Sequence, residues 1–139
     1  MKKKTNNPGY EIEDIMKKKF GGVSHKKDCV DFQTKGVLYE VKSCSLIINC
    51  GSGKKRLNNK KIITTMLGRF FVKTQNHDLL KFTAEKEKKD VRYIFVVHVG
   101  KQKIWKTTTW EFVDKLLNKR KDTYPLHIKD IFKRELRLK

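Results

Sequence analysis

The run Val91-Arg-Tyr-Ile-Phe-Val-Val-His-Val99 constrains the fold more than any other part of the chain. Its β-branched and aromatic residues favour an extended conformation, and apolar side chains fall at both odd and even positions, so both faces need covering. Such a strand belongs in the middle of a sheet flanked by helices. The rest of the sequence supplies them. Asn7-Pro8 opens a helix Tyr10–Phe20 that places Ile12, Ile15, Met16 and Phe20 on one face and stops at Gly21-Gly22, with Glu13 at the edge of that stripe. A second helix is predicted from a Thr74 cap to about Glu87, with Gln75, Leu79 and Phe82 toward the sheet.

Further strands complete the sheet. Cys29–Gln33 and Val37–Val41 form a hairpin about Thr34-Lys35-Gly36, Phe70–Val72 is a short strand, and Gln102–Thr107 returns beside Val91–Val99 across Gly100. Leu46–Ile48 extends the second hairpin strand or begins a third. Residues 49–68 are polar and read as a long exposed basic loop, while Thr109–Leu117 and His127–Leu136 make a C-terminal helical region at about 109–137. No repeat or linker interrupts residues 1–139, so the expected architecture is a single α/β domain, a mixed sheet flanked by helices.

Lys and Arg number 34 against 15 Asp and Glu, a formal net charge of +19 on 139 residues. Charge of that size acts by long-range attraction to polyanions, which makes nucleic acid the expected partner. With 37% hydrophobic residues the chain has the means for a core and is no disordered basic tail. No apolar run approaches the roughly 18 residues of a membrane helix, and Lys2–Lys4 leads into Asn6-Asn7-Pro8 rather than an apolar stretch, so the expectation is a cytoplasmic protein away from membranes. Cys29, Cys44 and Cys50 are odd in number and lack CxxC spacing, which predicts reduced thiols. Gly51-Ser-Gly-Lys-Lys55 lacks the upstream glycine and the following hydroxyl of a phosphate loop, so no nucleotide cofactor is expected.

In so basic a chain the informative residues are the acids. A turn at Lys35-Gly36 sets Phe32 against Tyr39 and Asp31 against Glu40, with Lys42 on the same side of the strand as Glu40. Opposed residues of a hairpin have Cβ atoms about 5 Å apart, and like charges there destabilise the pair unless a cation lies between them. A hard divalent ion such as Mg²⁺ satisfies two carboxylates, and Lys42 is placed to orient an attacking water and offset phosphoryl charge. Asp28 is the second candidate ligand, reached through a bulge near Cys29. Plain structural pairing of Asp31, Glu40 and Lys42 is the competing account.

The series helix, aspartate, hairpin, Glu40-Val41-Lys42 resembles the PD-(D/E)xK nuclease superfamily. Tyr39-Glu40-Val41-Lys42-Ser43-Cys44 is similar to the second catalytic strand of archaeal Holliday junction resolvases and small type II restriction endonucleases. Gly9 and Glu13 resemble the glycine and metal-supporting glutamate of the resolvases' first helix, and Phe71–Gln75 with Leu79, Leu80 and Phe82 resembles the strand and helix that follow their lysine. The resemblance covers about residues 9 to 115. It implies a restriction-endonuclease-like core, Mg²⁺-dependent cleavage of DNA with Mn²⁺ able to substitute, catalytic roles for Asp31, Glu40, Lys42 and Glu13, and a homodimer. Branched DNA and duplex DNA are both admissible substrates.

No acid occurs between Val41 and His77, whereas Lys54, Lys55, Arg56, Lys60, Lys61, Arg69 and Lys73 all do, so this stretch is the expected DNA-binding surface beside the site. Gln75 is expected to support the site from the second helix, and His77, in the first turn, is a weaker candidate for the same role. Trp105, Trp110 and Phe112 read as core rather than base-stacking residues. A non-catalytic basic nucleic-acid-binding domain is the alternative of a different class.

Overall fold

The computed structural model describes residues 8–50, 56–57, 60–61 and 64–132. Helix α1 (Pro8–Lys19) leads to strands β1 (Phe32–Gln33), β2 (Val37–Ser45) and β3 (Ile47–Cys50). The short strands β4 (Arg56–Leu57), β5 (Lys60–Lys61), β6 (Thr64–Leu67) and β7 (Arg69–Lys73) precede helix α2 (Thr74–Glu87). Strands β8 (Asp90–Val99) and β9 (Gln102–Thr109), helix α3 (Trp110–Leu116), strand β10 (Thr123–His127) and helix α4 (Ile128–Ile131) complete the order.

The architecture is mixed α/β. A four-stranded sheet runs β1-β2-β8-β9, with β8 parallel to β2 and antiparallel to β9. The apolar run of β8 is thus central, and Tyr93 through Val97 are at most 1% exposed. Alternation along β8 splits the core in two. Ile94 and Val96 pack with Ile12 and Met16 of α1, whereas Tyr93, Phe95 and Val97 pack with Leu80 and Ala84 of α2 and with Val113 of α3. Full burial of side chains of this size contributes about 2 kcal/mol each. The turn at Gly100 takes φ +61, a left-handed conformation that costs glycine nothing.

The hairpin register is the one the turn dictates, with Phe32 opposite Tyr39 and Gln33 opposite Leu38. The predicted start of α3 is also found, Thr109 Oγ1 accepting the Phe112 N–H at 3.1 Å.

Three expectations require correction. The 49–68 stretch is not a plain loop: among the described residues β3 pairs with β6 (Ile47↔Leu67 to Cys50↔Thr64) and β4 with β5, while Lys54 and Lys55 lie outside the described residues. The 109–137 region is not purely helical, because β10 lies between its helices and pairs with β7 from Thr123↔Lys73 to His127↔Arg69. Pro125 argued against a strand there, yet β10 has a partner on one side only, where proline is tolerated. Within the described residues the last predicted helix is confined to Ile128–Ile131.

The third concerns α2. Its inward face is Thr74, His77, Leu80, Thr83 and Ala84, so Gln75 is exposed, as are Leu79 and Phe82. The phase is set by β7, whose Phe70 and Val72 enter the core and which runs straight into the helix. Thr74 is therefore no side-chain cap, and its hydroxyl donates to the Lys121 carbonyl at 2.9 Å.

Candidate active site

Strand β2 alternates between the two cores. Tyr39 and Val41 face α1, so Glu40 shares the α2 side with Leu38, beside its register partner Tyr93. That side is apolar as well, so chemistry and core do not occupy opposite faces as the hairpin pattern suggests. Glu40 is only 8% exposed, and Lys42, next on the same side, is half-buried.

Asp31 stands immediately before β1. Its N–H donates to the Tyr39 carbonyl at 2.9 Å, and its Oδ2 accepts the Val41 N–H at 2.6 Å. The carboxylate thereby continues the ladder where the backbone of β1 leaves it. Two further carboxyl groups meet this one: Asp31 is hydrogen-bonded to Glu40 and to Glu13. Glu13 is brought there by α1, whose neighbouring Ile12 and Met16 are locked at 2% exposure. Three elements separated in sequence thus converge three acids at one place.

Burial, followed by the adjacent Glu40 charge, raises the Asp31 carboxyl well above its ordinary value of 3.8. The shift favours the protonated form of the Asp31 carboxyl beside Glu40. Because the folded-state value is raised, the stability this group contributes is present below about 3.8 and is lost as pH rises through the folded value. Asp31→Asn is therefore expected to raise the melting temperature by several degrees at pH 7 without added metal, and by less at pH 4. Mg²⁺ should stabilise the wild type and not this variant. Equal melting temperatures at both pH values would refute the assignment.

The acids suit a hard cation. All the oxygens brought together are carboxylate oxygens, and Lys42 lies two residues along β2 from Glu40, half-buried on the same side of the strand. Asp31 and Glu40 are the residues that would hold Mg²⁺, with Glu13 in support. Asp28 is exposed in the turn before Cys29, whereas Asp31 is the aspartate in contact with Glu40.

Gln75 cannot reach the sheet from its exposed position and instead lines a surface cavity of about 270 Å³ with Lys73, Asn76, Asp122 and Thr123. Arg69 is half-buried, its guanidinium 5.8 Å from the Phe71 ring, and Lys73 is exposed. Arg56 lies in β4, and Lys60 and Lys61 in β5, its antiparallel partner.

Sequence reasoning undervalued His77. It is 1% exposed, its Nδ1 is 2.6 Å from the Tyr93 hydroxyl, and its Nε2 is 3.1 Å from Asp114. Trp110 stacks on the ring at 4.2 Å and donates its indole N–H to the His77 carbonyl at 2.8 Å. The stripe Thr74, His77, Leu80 was the available signal, but nothing in the sequence links it to Tyr93 or Asp114. His77, Asp78 and Asp114 have the spacing of a metal cluster. Lys119 already places its ammonium 2.8 Å from Asp114 and 3.2 Å from Asp78, so the network carries its own cation.

The thiols behave as expected among the described residues. Cys29 is buried, and Cys44, half-buried, is pushed up to about 12 by removal from water. His25 pairs with Glu87 at 2.8 Å rather than with a cysteine. No helix of the described residues is long and apolar enough to cross a membrane.

Comparison of the chain with protein-family models, curated proteins and solved structures finds no match.

Proposed function

We propose that this protein is a Mg²⁺-dependent DNA endonuclease of the PD-(D/E)xK kind with a restriction-endonuclease-like core, acting on branched DNA as a Holliday junction resolvase does. One observation carries the reading: Asp31 is hydrogen-bonded to Glu40 of the hairpin, two residues before Lys42 on β2, and to Glu13 of the first helix, in a chain of net charge +19. Carboxyl groups brought this close are costly to a fold unless a cation or proton offsets them, and a bound divalent ion would be such an offset. Asp31 and Glu40 would hold Mg²⁺, which when bound would supply Lewis acidity toward a phosphoryl oxygen and lower the pKa of a coordinated water. Lys42 orients the attacking water and stabilises charge on the phosphoryl group, and Glu13 fixes the Asp31 carboxyl. Mn²⁺ is expected to substitute, and the cytoplasm is the expected compartment.

The test is incubation with a labelled four-way junction and a linear duplex of matching sequence, each with Mg²⁺ or EDTA. Metal-dependent cutting of the junction alone supports a resolvase. Cutting of the duplex supports a restriction-like enzyme, and tight binding without cutting supports a non-catalytic basic domain.

The protein acts as a homodimer, which allows one cut on each of two strands. Support comes from α2, where Leu79 and Phe82 stand 43% and 60% exposed one turn apart. Phe82→Asp is expected to convert a dimer to a monomer in sedimentation, without loss of helix by circular dichroism. An unchanged sedimentation coefficient would place the interface elsewhere.

A further inference from the structure

On its α1 side the sheet is covered only in part. Ile12 and Met16 of α1 pack on Ile94 and Val96 of β8, and the cover stops there. Trp105 and Thr107, the register partners of Val96 and Ile94 on β9, are exposed, as are Lys103 and Thr109 on the same side of that strand. Among the described residues β9 has β8 as its only strand neighbour, so its outer edge is open as well. Trp105, expected in the core from its place in a strand, is instead 37% exposed in the middle of this strip. Strand alternation puts it on the side that α1 does not reach, which spacing alone does not reveal.

The ring is held in place. It meets Phe20 edge-on, with centroids 5.6 Å apart and planes at 77°, and Phe20 lies 5.2 Å from the Tyr39 ring of the α1-side core. Lys19 sets its ammonium 5.3 Å from the centre of the Trp105 ring. A fixed, part-exposed indole with a cation over it suits a stacked nucleobase, whose phosphate then gives Lys19 a partner.

Charge decides the occupant. No Asp or Glu occurs from Ile15 to Lys27 or from Val91 to Trp110, the two segments that frame the strip, whereas Lys18, Lys19, Lys101 and Lys103 are all exposed there. A protein partner requires a broader apolar surface than one tryptophan beside lysines and threonines. In a duplex each base is covered by its neighbours, so only unpaired bases offer a face to an aromatic side chain. Lys103 stands two residues from Trp105, about 7 Å along the strand, which places one cation over the ring and another beside it.

We infer that the strip of β9 around Trp105 binds an unpaired stretch of DNA, with Trp105 stacked on a base and Lys19 and Lys103 on flanking phosphates. The choice of DNA rests on the nuclease reading. Trp105 lies in the register row of Ser43, three residues along and two strands across from Glu40, or about 14 Å away in the plane of the sheet, and on its other side. The strip therefore holds nucleotides beyond the scissile phosphate rather than the phosphate itself.

The experiment measures binding of the full chain to a short oligothymidylate and to a duplex of the same length, in EDTA so that no cutting intervenes. Trp105→Ala should weaken oligothymidylate binding about tenfold, the loss of one base–aromatic stack, and leave duplex binding unchanged. Trp105→Phe should restore most of the affinity. Lys19→Ala combined with Lys103→Ala should reduce the slope of log K against log salt by about 1.4, for two single-strand phosphates. Saturating oligothymidylate should quench the tryptophan emission of the wild type, whereas Trp105→Phe protein, left with Trp110 alone, should bind without that quench. This variant keeps a ring against Phe20, so the emission test stands even where Trp105→Ala loses stability. Unchanged oligothymidylate binding in Trp105→Ala, equal weakening of oligothymidylate and duplex, or wild-type emission that does not respond overturns the inference. So does self-association that Trp105→Ala abolishes while oligothymidylate binding persists, which would give the strip to a second copy. Metal-dependent cutting with no oligothymidylate binding sinks this inference alone, and oligothymidylate binding with no cutting of junction or duplex sinks the nuclease reading alone.

Discussion

Glu40→Ala is expected to reduce metal-dependent cleavage by about 10³-fold, the several kcal/mol that a positioned divalent ion contributes to the transition state. Binding should be retained or strengthened, because phosphate then approaches one buried carboxylate fewer. Melting temperature should hold or rise, since the substitution removes the charge pressed against Asp31 in the cation-free protein. Loss of cleavage together with preserved fold and binding is the signature of a ligand. A purely structural glutamate gives the reverse, lower stability with cleavage falling only in proportion. Glu85→Ala, on the exposed side of α2, is the matched control and should leave cleavage unchanged. Full metal-dependent activity in purified Glu40→Ala protein would end the proposed assignment.

His77→Ala should be the most destabilising of these substitutions, by about 3 kcal/mol. It leaves a cavity beneath Trp110, removes the ring bonded to the buried Tyr93 hydroxyl, and leaves Asp114 held by Lys119 alone. Urea denaturation measures the loss, and His77→Asn should restore part of it by keeping a polar partner. A pH signature separates this histidine from a surface one. Burial lowers its folded-state pKa below 6.5, against the opposing pull of Asp114. The unfolded chain therefore binds the proton more readily, so the stability His77 contributes is complete above about pH 6.5 and declines as pH falls toward the folded value. The difference between wild type and His77→Ala should consequently narrow between pH 7 and pH 5. A difference that stays constant over that range would show that the ring titrates as freely folded as unfolded.

The two predictions probe opposite ends of one face of the sheet. Glu40 and Tyr93 are register partners, and the Glu40 charge, after burial, is the largest influence raising the Tyr93 phenol pKa. Through the Tyr93 hydroxyl, 2.6 Å from His77 Nδ1, the histidine is linked to the strand register that carries Glu40.

Much of this was legible in the chain because it depends on local chemistry. Two-residue alternation and a turn at Lys35-Gly36 were enough to set Phe32 opposite Tyr39, and the apolar run 91–99 was enough to put β8 in the middle. Glu13 at the edge of its stripe, with Asp31 and Glu40 across the hairpin, identified the acids that converge. What failed was phase and pairing at a distance. The face of α2 depended on how β7 delivers it to the core, so Gln75 and His77 exchanged their expected environments. Strand β10 was hidden by Pro125, because whether a proline is tolerable depends on which side of the strand has a neighbour. The pairs β3–β6 and β4–β5 were hidden by the polar composition of the stretch, which lacks the apolar alternation that marks a half-covered strand.

The sequence by itself determined the periodic elements, the excess of positive charge and the register of Phe32 against Tyr39, because each follows from composition or from neighbours within a few residues or one turn. Only the tertiary structure decided that Glu13 reaches Asp31 beside Glu40, that His77 is enclosed by Tyr93, Asp114 and Trp110, and that β3 pairs with β6. Those outcomes depend on packing between segments tens of residues apart, and hydrophobic burial fixes such contacts by shape complementarity across the whole core rather than by local pattern.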